Sequence, residues 1–267
     1  MQIIPKIVSF TKKFKKRIKK SLNLEKNKLS NTDKHKIDPI SPASDFKLLF
    51  HDLKRKNFRC NHILDVGAHT TEWIRIAMNV FPHANAYLIE PLSEMEDKLK
   101  QFCIDFPGSK YFLNGAGAVN ETLHLTVGGV LEGANFLQDK NDYFKSVNKQ
   151  REIEIITIDS LIESKQIVMP DIVKLDIQGF ELEALKGGTS LFGNTEIFFI
   201  EISFFEFLKG TPIFSEVVRF MADKGYEVYD FPGFLRRPFD NALAQTDVCF
   251  VKRDGYFRIS NEWDKSN

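Results

Sequence analysis

Four carboxylates stand where apolar runs of strand length give out. They are Asp65 in Ile63-Leu64-Asp65-Val66, Glu90 in Tyr87-Leu88-Ile89-Glu90-Pro91, Asp176 in Ile172-Val173-Lys174-Leu175-Asp176, and Glu201 in Phe198-Phe199-Ile200-Glu201-Ile202. An acid in such a run is costly unless it is paired or faces a cleft, so each position is a candidate for chemistry. Gly67 and Ala68 follow the first acid and let the main chain approach a ligand, with the unpaired N–H groups of a helix start behind them. Glu90 lies 25 residues beyond Asp65, where an acidic strand end takes the two hydroxyls of a ribose. The other reading of Glu90 is a helix-capping or solvated carboxylate. Lys174 and Asp176 share one face of a strand, Gly179 permits a sharp turn, and Glu181 opens a helix whose dipole suits its charge. Asp176 is the stronger functional candidate of that group. Glu201 reads as a second active-site carboxylate or as a paired core acid.

Positioning these side chains requires strands that end together. The chain predicts a helix over 45–56, capped by Ser44 or Asp45, with Phe46, Leu49, Phe50 and Leu53 on one face. Strands are then expected at 62–66, 86–90, 111–113, 121–127, 152–158, 172–176 and 197–202, with late strands at 226–229 and 248–252. Helices are expected at 72–80, 93–105, 180–186 and 212–224, the third closed by Gly187-Gly188 as a left-handed cap. Phe231 to Pro238 reads as a loop near the sheet's end, in which Arg236 and Arg237 form either an anion site or a solvated turn. Alternation of strands that are apolar on both sides with helices predicts an α/β, doubly wound, mostly parallel sheet. Ligands of such sheets sit outside the carboxyl ends of the strands, which is where the four acids fall. The dinucleotide pattern G-x-G-x-x-G is absent, since His69 and Glu72 stand where glycines are needed.

The near-neutral total charge of the 267-residue chain, with 37 basic and 36 acidic residues, hides a split. Residues 1–36 hold 12 Lys+Arg against two acids and carry +10, which leaves −9 on the rest. In the arm Ile3, Ile7, Phe10, Phe14, Ile18 and Leu22 recur at helical spacing among lysines, the pattern of a helix lying in a membrane interface. Anionic lipid attracts such a segment by roughly 1 kcal/mol per cation near the surface. A solvated arm is the plain alternative, and nucleic acid is the least favoured partner because phosphates do not require an apolar stripe. Polar residues from Ser21 to Pro42 form a linker. Cys60, Cys103 and Cys249 are scattered, without zinc spacing, which suits a reducing compartment. No run of about 18 apolar residues suggests a spanning helix, and the start does not read as a signal peptide. The body is therefore expected in the cytoplasm, with the arm at anionic lipid on the inner face of the membrane.

The chain resembles the FkbM-type family of S-adenosylmethionine-dependent methyltransferases in ILDVGAHTTEW (63–73), YLIEP (87–91), ITIDSL (156–161), DIVKLDIQGFELEALKGG (171–188) and FFIEIS (198–203). The fourth run is the most specific. The likeness covers residues 61–253 and none of the arm. It implies a Rossmann-like, seven-stranded sheet of the class I methyltransferase type, with its last strand antiparallel, and O-methylation of a sugar, a glycan or a secondary metabolite. Taken with the composition of the arm, it leaves a basic amphipathic helical arm and linker (1–37), a helix leading in (38–60), the methyltransferase domain (61–255) and a tail (256–267). It places Asp65, Gly67 and Ala68 around the methionine end of the cofactor, Glu90 on the ribose hydroxyls, Asn114, Gly115 and Ala116 near the adenine, and Asp176 beside the methyl group. The family's first motif usually has Asn, a small residue and Gly where His69, Thr70 and Thr71 stand, and Gln178 replaces a commoner Glu. A hydroxyl nucleophile profits from a general base: Asp176 first, Glu201 or His69 as alternatives. His69 reads equally as a loop residue capping the next helix, Glu181 as a helix N-terminal acid, and His124 as structural. No metal is required, although Asp176 with Glu181 suits magnesium. Competing classes are an NAD-dependent oxidoreductase on the same sheet, against which the missing glycines count, and a catalytically silent cofactor-binding protein recruited by its arm.

Overall fold

The computed structural model describes residues 45–127, 131–137 and 150–263. The basic arm and its linker lie outside the described residues. The elements in chain order are α1 (Phe46–Arg55), β1 (His62–Val66), α2 (Glu72–Val80), β2 (Asn85–Ile89), α3 (Glu96–Asp105), β3 (Lys110–Phe112), β4 (Gly115–Ala116), β5 (Glu121–Thr126), β6 (Gln150–Ile156), α4 (Ile158–Glu163), β7 (Ile172–Leu175), α5 (Glu181–Lys186), β8 (Ile197–Ser203), α6 (Phe214–Asp223), β9 (Tyr226–Arg236) and β10 (Leu243–Lys252). Seven strands make the main sheet in the order β3-β2-β1-β7-β8-β10-β9. β10 runs antiparallel to both neighbours and the other pairs are parallel, so this is the doubly wound sheet expected, with its last strand reversed.

Strand residues alternate between two cores. On β8, Ile197 and Phe199 join Leu49, Phe50, Ile74 and Met78 under α1 and α2, while Phe198 and Ile200 join Leu185, Val217 and Met221 under α5 and α6. Burial on both faces is why this strand reads as a continuous apolar run. Asp45 caps α1 by accepting the main-chain N–H of Leu48 at 2.8 Å. Phe46 and Phe50 then pack edge-on against Trp73 and Phe199, fixing α1 to the sheet. The tail continues this packing, since Phe257 lies 5.1 Å from Phe58 between ring centres.

Three features differ from expectation. A second sheet, β4-β6-β5, collects strands that the alternation assigned to no separate layer. β6 ends at Ile156, because Thr157 caps α4 by accepting from the N–H of Ser160. Phe231 to Pro238 is no loop: β9 runs on to Arg236 and pairs with β10 as a long hairpin. Pro232 is tolerated there because β9 is an edge strand, and a proline's missing donor costs least on an edge.

The glycine pair after α5 corrects another expectation. Gly187 has φ −87° and Gly188 φ −126°, so neither is a left-handed cap. Gly187 is needed for space, since a Cβ there would stand 2.0 Å from the carbonyl oxygen of Gly117. Gly187→Ala is therefore expected to lower stability by about 1–3 kcal/mol, the range for overpacking. Denaturant unfolding measures this directly, and an unchanged midpoint would refute the close approach.

Candidate active site

The strand register builds the site row by row on the sheet face beneath α1 and α2. Asp65 on β1 is the direct partner of Lys174 on β7, and Lys174 is the partner of Phe199 on β8. One pleat further towards the carboxyl ends, Glu201 on β8 is the direct partner of Asp247 on β10. Asp176 follows β7 immediately at the same level. Lys174 Nζ lies 3.4 Å from Asp65 Oδ1 and 3.4 Å from Asp176 Oδ2. Its ammonium also stands 5.7 Å from the centre of the Trp73 ring. Gln178 joins the acids: its side-chain N–H2 donates to Asp176 Oδ1 at 3.0 Å and to Glu201 Oε2 at 3.1 Å. Gln245 donates to the same Glu201 oxygen at 3.1 Å. An ionised Glu at position 178 has no proton for either bond, so Gln suits a position wedged between two carboxylates.

These acids have divergent proton affinities. Burial raises Asp176, but the Lys174 charge and hydrogen bonds from Gln178, Glu201 and Lys174 outweigh it and hold the carboxyl below the usual range. Glu201 is driven well above that range by burial and by the charges of Asp176, Asp247 and Glu181. Asp247 rises to about 7 through burial and the charge of Asp176. Direct cross-strand acids repel, so a proton on this pair is the stable arrangement. Gly233 makes room for Asp247, whose Oδ2 would lie 2.3 Å from a Cβ at that position.

A cavity of about 470 Å³ opens in front of this floor. Its walls include Gly67, Ala68, His69, Glu90, Asn114, Gly115, Ala116, Asp176 and Glu201, so nine of the ten sequence candidates meet there. Asp65 is the exception. It is fully buried and does not line the cavity, and burial raises it despite the Lys174 ammonium 3.4 Å away. Its carboxylate supports Lys174 from the neighbouring strand. Sequence reasoning missed Asp247, Gln245 and the wall residue Trp73; Asp247 precedes the apolar run Val248 to Val251 and carries the same signal as Glu201.

Two other acids hold the loops that carry the wall. Glu90 accepts the N–H of His69 at 2.8 Å and of Leu92 at 3.0 Å. Glu181 accepts the N–H of Ile177 at 3.0 Å and of Gly179 at 3.1 Å. The loops they clamp are strained: φ is +40° at His69, +63° at Thr71 and +57° at Gln178. Gly67 has φ +84°, and a Cβ there would stand 2.1 Å from the Asp176 carbonyl oxygen. His69 is thereby tied to Glu90 beyond β2, while the Asp176–Glu201 pair lies on the other side of β1. Glu181 serves its own turn rather than the cavity. His124 is exposed on β5, 3.8 Å from Glu152. Arg236 donates to the Asn241 carbonyl and Arg237 is bidentate to Asp240, so both brace the hairpin turn.

Residues 65–228 match the family described as the Methyltransferase FkbM domain. Hexuronic acid methyltransferase AglP of Haloferax volcanii is 27% identical over 119 residues, which is 45% of this chain. The match spans 47%, about half, of that relative's length. Among solved structures, a precorrin-6y C5,15-methyltransferase from Geobacter metallireducens is similar at 11% identity and a TM-score of 0.41, covering 77% of this chain and 87% of that one. Fibrillarin from Aeropyrum pernix with bound S-adenosyl-L-methionine is similar at 12% identity and a TM-score of 0.40, covering 70% of this chain and 66% of that one.

Glu181, Glu90 and Asp247 all rise to about 7, each mainly through burial. In the unfolded chain such acids ionise near about 4, so between that pH and about 7 the folded state binds more protons. Their contribution to stability is full below the unfolded value and is lost as pH rises through about 7. The melting temperature should therefore fall between about pH 5 and about pH 8, and Glu181→Gln, which keeps the acceptor oxygen, should flatten that fall. A steeper or unchanged profile in the variant would count against a buried proton at Glu181.

Proposed function

The chain belongs to the FkbM methyltransferase family, and we propose that its cavity presents a hydroxyl of a sugar or glycan for methylation, with Asp176 taking the proton. The cofactor is S-adenosylmethionine. The wall residues suit it: Gly67 and Ala68 bring bare main chain to the cavity, Glu90 offers carboxylate oxygens, and the acidic floor complements a cation. Gly67, Ala68 and Glu90 would hold the cofactor together with Asn114, Gly115 and Ala116. When bound, it supplies an electrophilic methyl group on a sulfonium whose positive charge vanishes on transfer.

The observation that carries the role of Asp176 is its combination of charge and access. Among Asp176, Glu201 and Asp247 it alone is held ionised, and its side chain is 33% exposed to the cavity; its low proton affinity makes it a weak base, so its placement beside the hydroxyl must carry the effect. A base must be both ionised and reachable. Lys174 keeps it ionised, and Gln178 fixes the direction of Oδ1. The hydroxyl proton passes to a carboxylate oxygen of Asp176 as the acceptor oxygen gains its new carbon. Glu201 and Asp247, carrying protons near neutrality, add little repulsion as the hydroxyl oxygen becomes electron-rich. The remaining work is positioning, which the cavity walls and the clamped loops supply. The similarity to a hexuronic acid methyltransferase supports a sugar as acceptor.

Incubation with S-adenosylmethionine and a panel of neutral and acidic sugars, read as a mass gain of one CH2, tests the acceptor class. Gain on other hydroxyl compounds but on no sugar or glycan would overturn that class. Asp176→Asn should lower the transfer rate about a hundred- to ten-thousand-fold, while calorimetry finds S-adenosylhomocysteine affinity within a few-fold of the parent. An undiminished rate would remove Asp176 from the role of base.

A further inference from the structure

We infer that Asp247 is the residue that selects the acceptor: its carboxyl group takes a second hydroxyl of the sugar whose reacting hydroxyl lies at Asp176, with the Trp73 ring against the sugar's C–H face. This rests on the acceptor being a sugar or glycan. Strand register puts the polar groups in one row. Asp176 follows β7 at the level of Glu201 on β8, Glu201 is the direct partner of Asp247 on β10, and Asp247 is the direct partner of Gly233 on β9. All four residues line the cavity. Two strand spacings, roughly 10 Å, separate the main chain at Asp176 from that at Asp247. Two side chains and one sugar ring fill such a span.

Asp247 differs from the other acids of the cavity in what its carboxyl group binds. Glu201 accepts from Gln178 and Gln245, Asp176 from Gln178 and Lys174, and Glu90 from two main-chain N–H groups. Asp247 is only 7% exposed, and its carboxyl group makes no hydrogen bond among the described residues. A buried polar group without a partner is costly, and in the wall of a cavity a ligand is the partner that remains. Gly233 keeps the place open for this group, since a Cβ on β9 would stand 2.3 Å from Asp247 Oδ2. Raised to about 7 by burial and the charge of Asp176, the carboxyl holds its proton up to neutrality. It then offers one donor and one acceptor, the same pair that a hydroxyl offers in return. The adjoining wall suits the rest of a sugar. Trp73 lines the cavity, stands edge-on to Phe199 at 5.7 Å between ring centres, and is braced by Phe46 at 5.8 Å. Phe199 lies one pleat from Glu201 on the same face of β8, so the ring adjoins the row of carboxyl groups. A line of polar groups beside an aromatic ring matches a pyranose, whose hydroxyls lie around its edge and whose C–H bonds form its faces.

The chain has two tryptophans, Trp73 and the 98% exposed Trp263. In the full-length Trp263→Phe protein, saturated with S-adenosylhomocysteine, tryptophan emission therefore reports the cavity wall. Methyl glycosides of glucose, galactose and glucuronic acid, and their monodeoxy derivatives, are titrated into it, and methyl transfer to the same compounds is followed by mass. Asp247→Leu should weaken glycoside binding and raise KM about ten-fold, with kcat and S-adenosylhomocysteine affinity within a few-fold of the parent. Asp247→Asn, which keeps a donor and an acceptor, should stay within a few-fold of the parent throughout. Gly233→Ala, which displaces the carboxyl group, should resemble Asp247→Leu. One hydroxyl other than the methylated one should matter to the parent and no longer matter to Asp247→Leu. Equal affinity in the parent and Asp247→Leu, a loss confined to kcat, or a hydroxyl dependence that survives the substitution overturns the inference and leaves the sugar reading intact. Should Asp247→Leu not fold, Gly233→Ala decides by the same comparison. A parent that neither binds nor methylates any of these glycosides also overturns the inference, and methylation of other hydroxyl compounds alone overturns the sugar reading beneath it.

Discussion

The site depends on one buried cation. Lys174 is 6% exposed and sits between Asp65 and Asp176, whose charges keep it protonated against the cost of burial. A lysine so placed loses its hydration, and the surrounding carboxylates offset that loss. Removing one partner of such a pair costs about 3–5 kcal/mol, since the remaining charge is left alone in a poor solvent. Asp65 therefore has work to do although it never meets the cavity. It fixes Lys174 from behind, and Lys174 in turn holds Asp176 ionised at the wall. The strand register makes this arrangement obligatory: Asp65 and Lys174 are paired across β1 and β7, so the ion pair exists as soon as those strands do.

The same economy governs the loops. A nucleotide-like site needs backbone exposed at the strand ends, and exposed backbone in left-handed conformations is strained by about 1–3 kcal/mol per residue. His69, Thr71 and Gln178 all carry that strain. Glu90 and Glu181 offset it, each accepting two main-chain N–H bonds. Both acids stand high in proton affinity because burial outweighs those bonds. Glu90 thus has a second duty beside any ribose contact: it holds the loop from which the wall is made.

The strand-end acids were legible because an ionisable residue in an apolar run has few structural excuses. β8 and its Glu201 follow directly from that rule, and Asp247 answers to it equally. What the chain did not disclose was pairing. That Glu201 faces Asp247 across two strands is a fact of register, and register between strands remote in sequence has no local signature. The β9–β10 hairpin was hidden for a different reason. Pro232 and Gly233 punctuate most chains as loops, and only the edge position of β9 makes them compatible with a strand. Gly187 hides its role likewise: glycine after a helix usually serves dihedral freedom, whereas here it serves the approach of Gly117. The two-residue β4 lies below the length at which periodicity carries any signal, and the pairing of β5 with β6 as a separate sheet is again a matter of register.

The charge balance of the floor limits what the site can accept. The body as a whole is strongly acidic, yet the floor of its cavity is not. Lys174 offsets one carboxylate, while Glu201 and Asp247 hold protons near neutrality, leaving a small net negative charge concentrated on Asp176. That is enough to complement a sulfonium and too little to demand a cationic acceptor. A neutral hydroxyl fits, because it brings no charge to be desolvated beside Asp176.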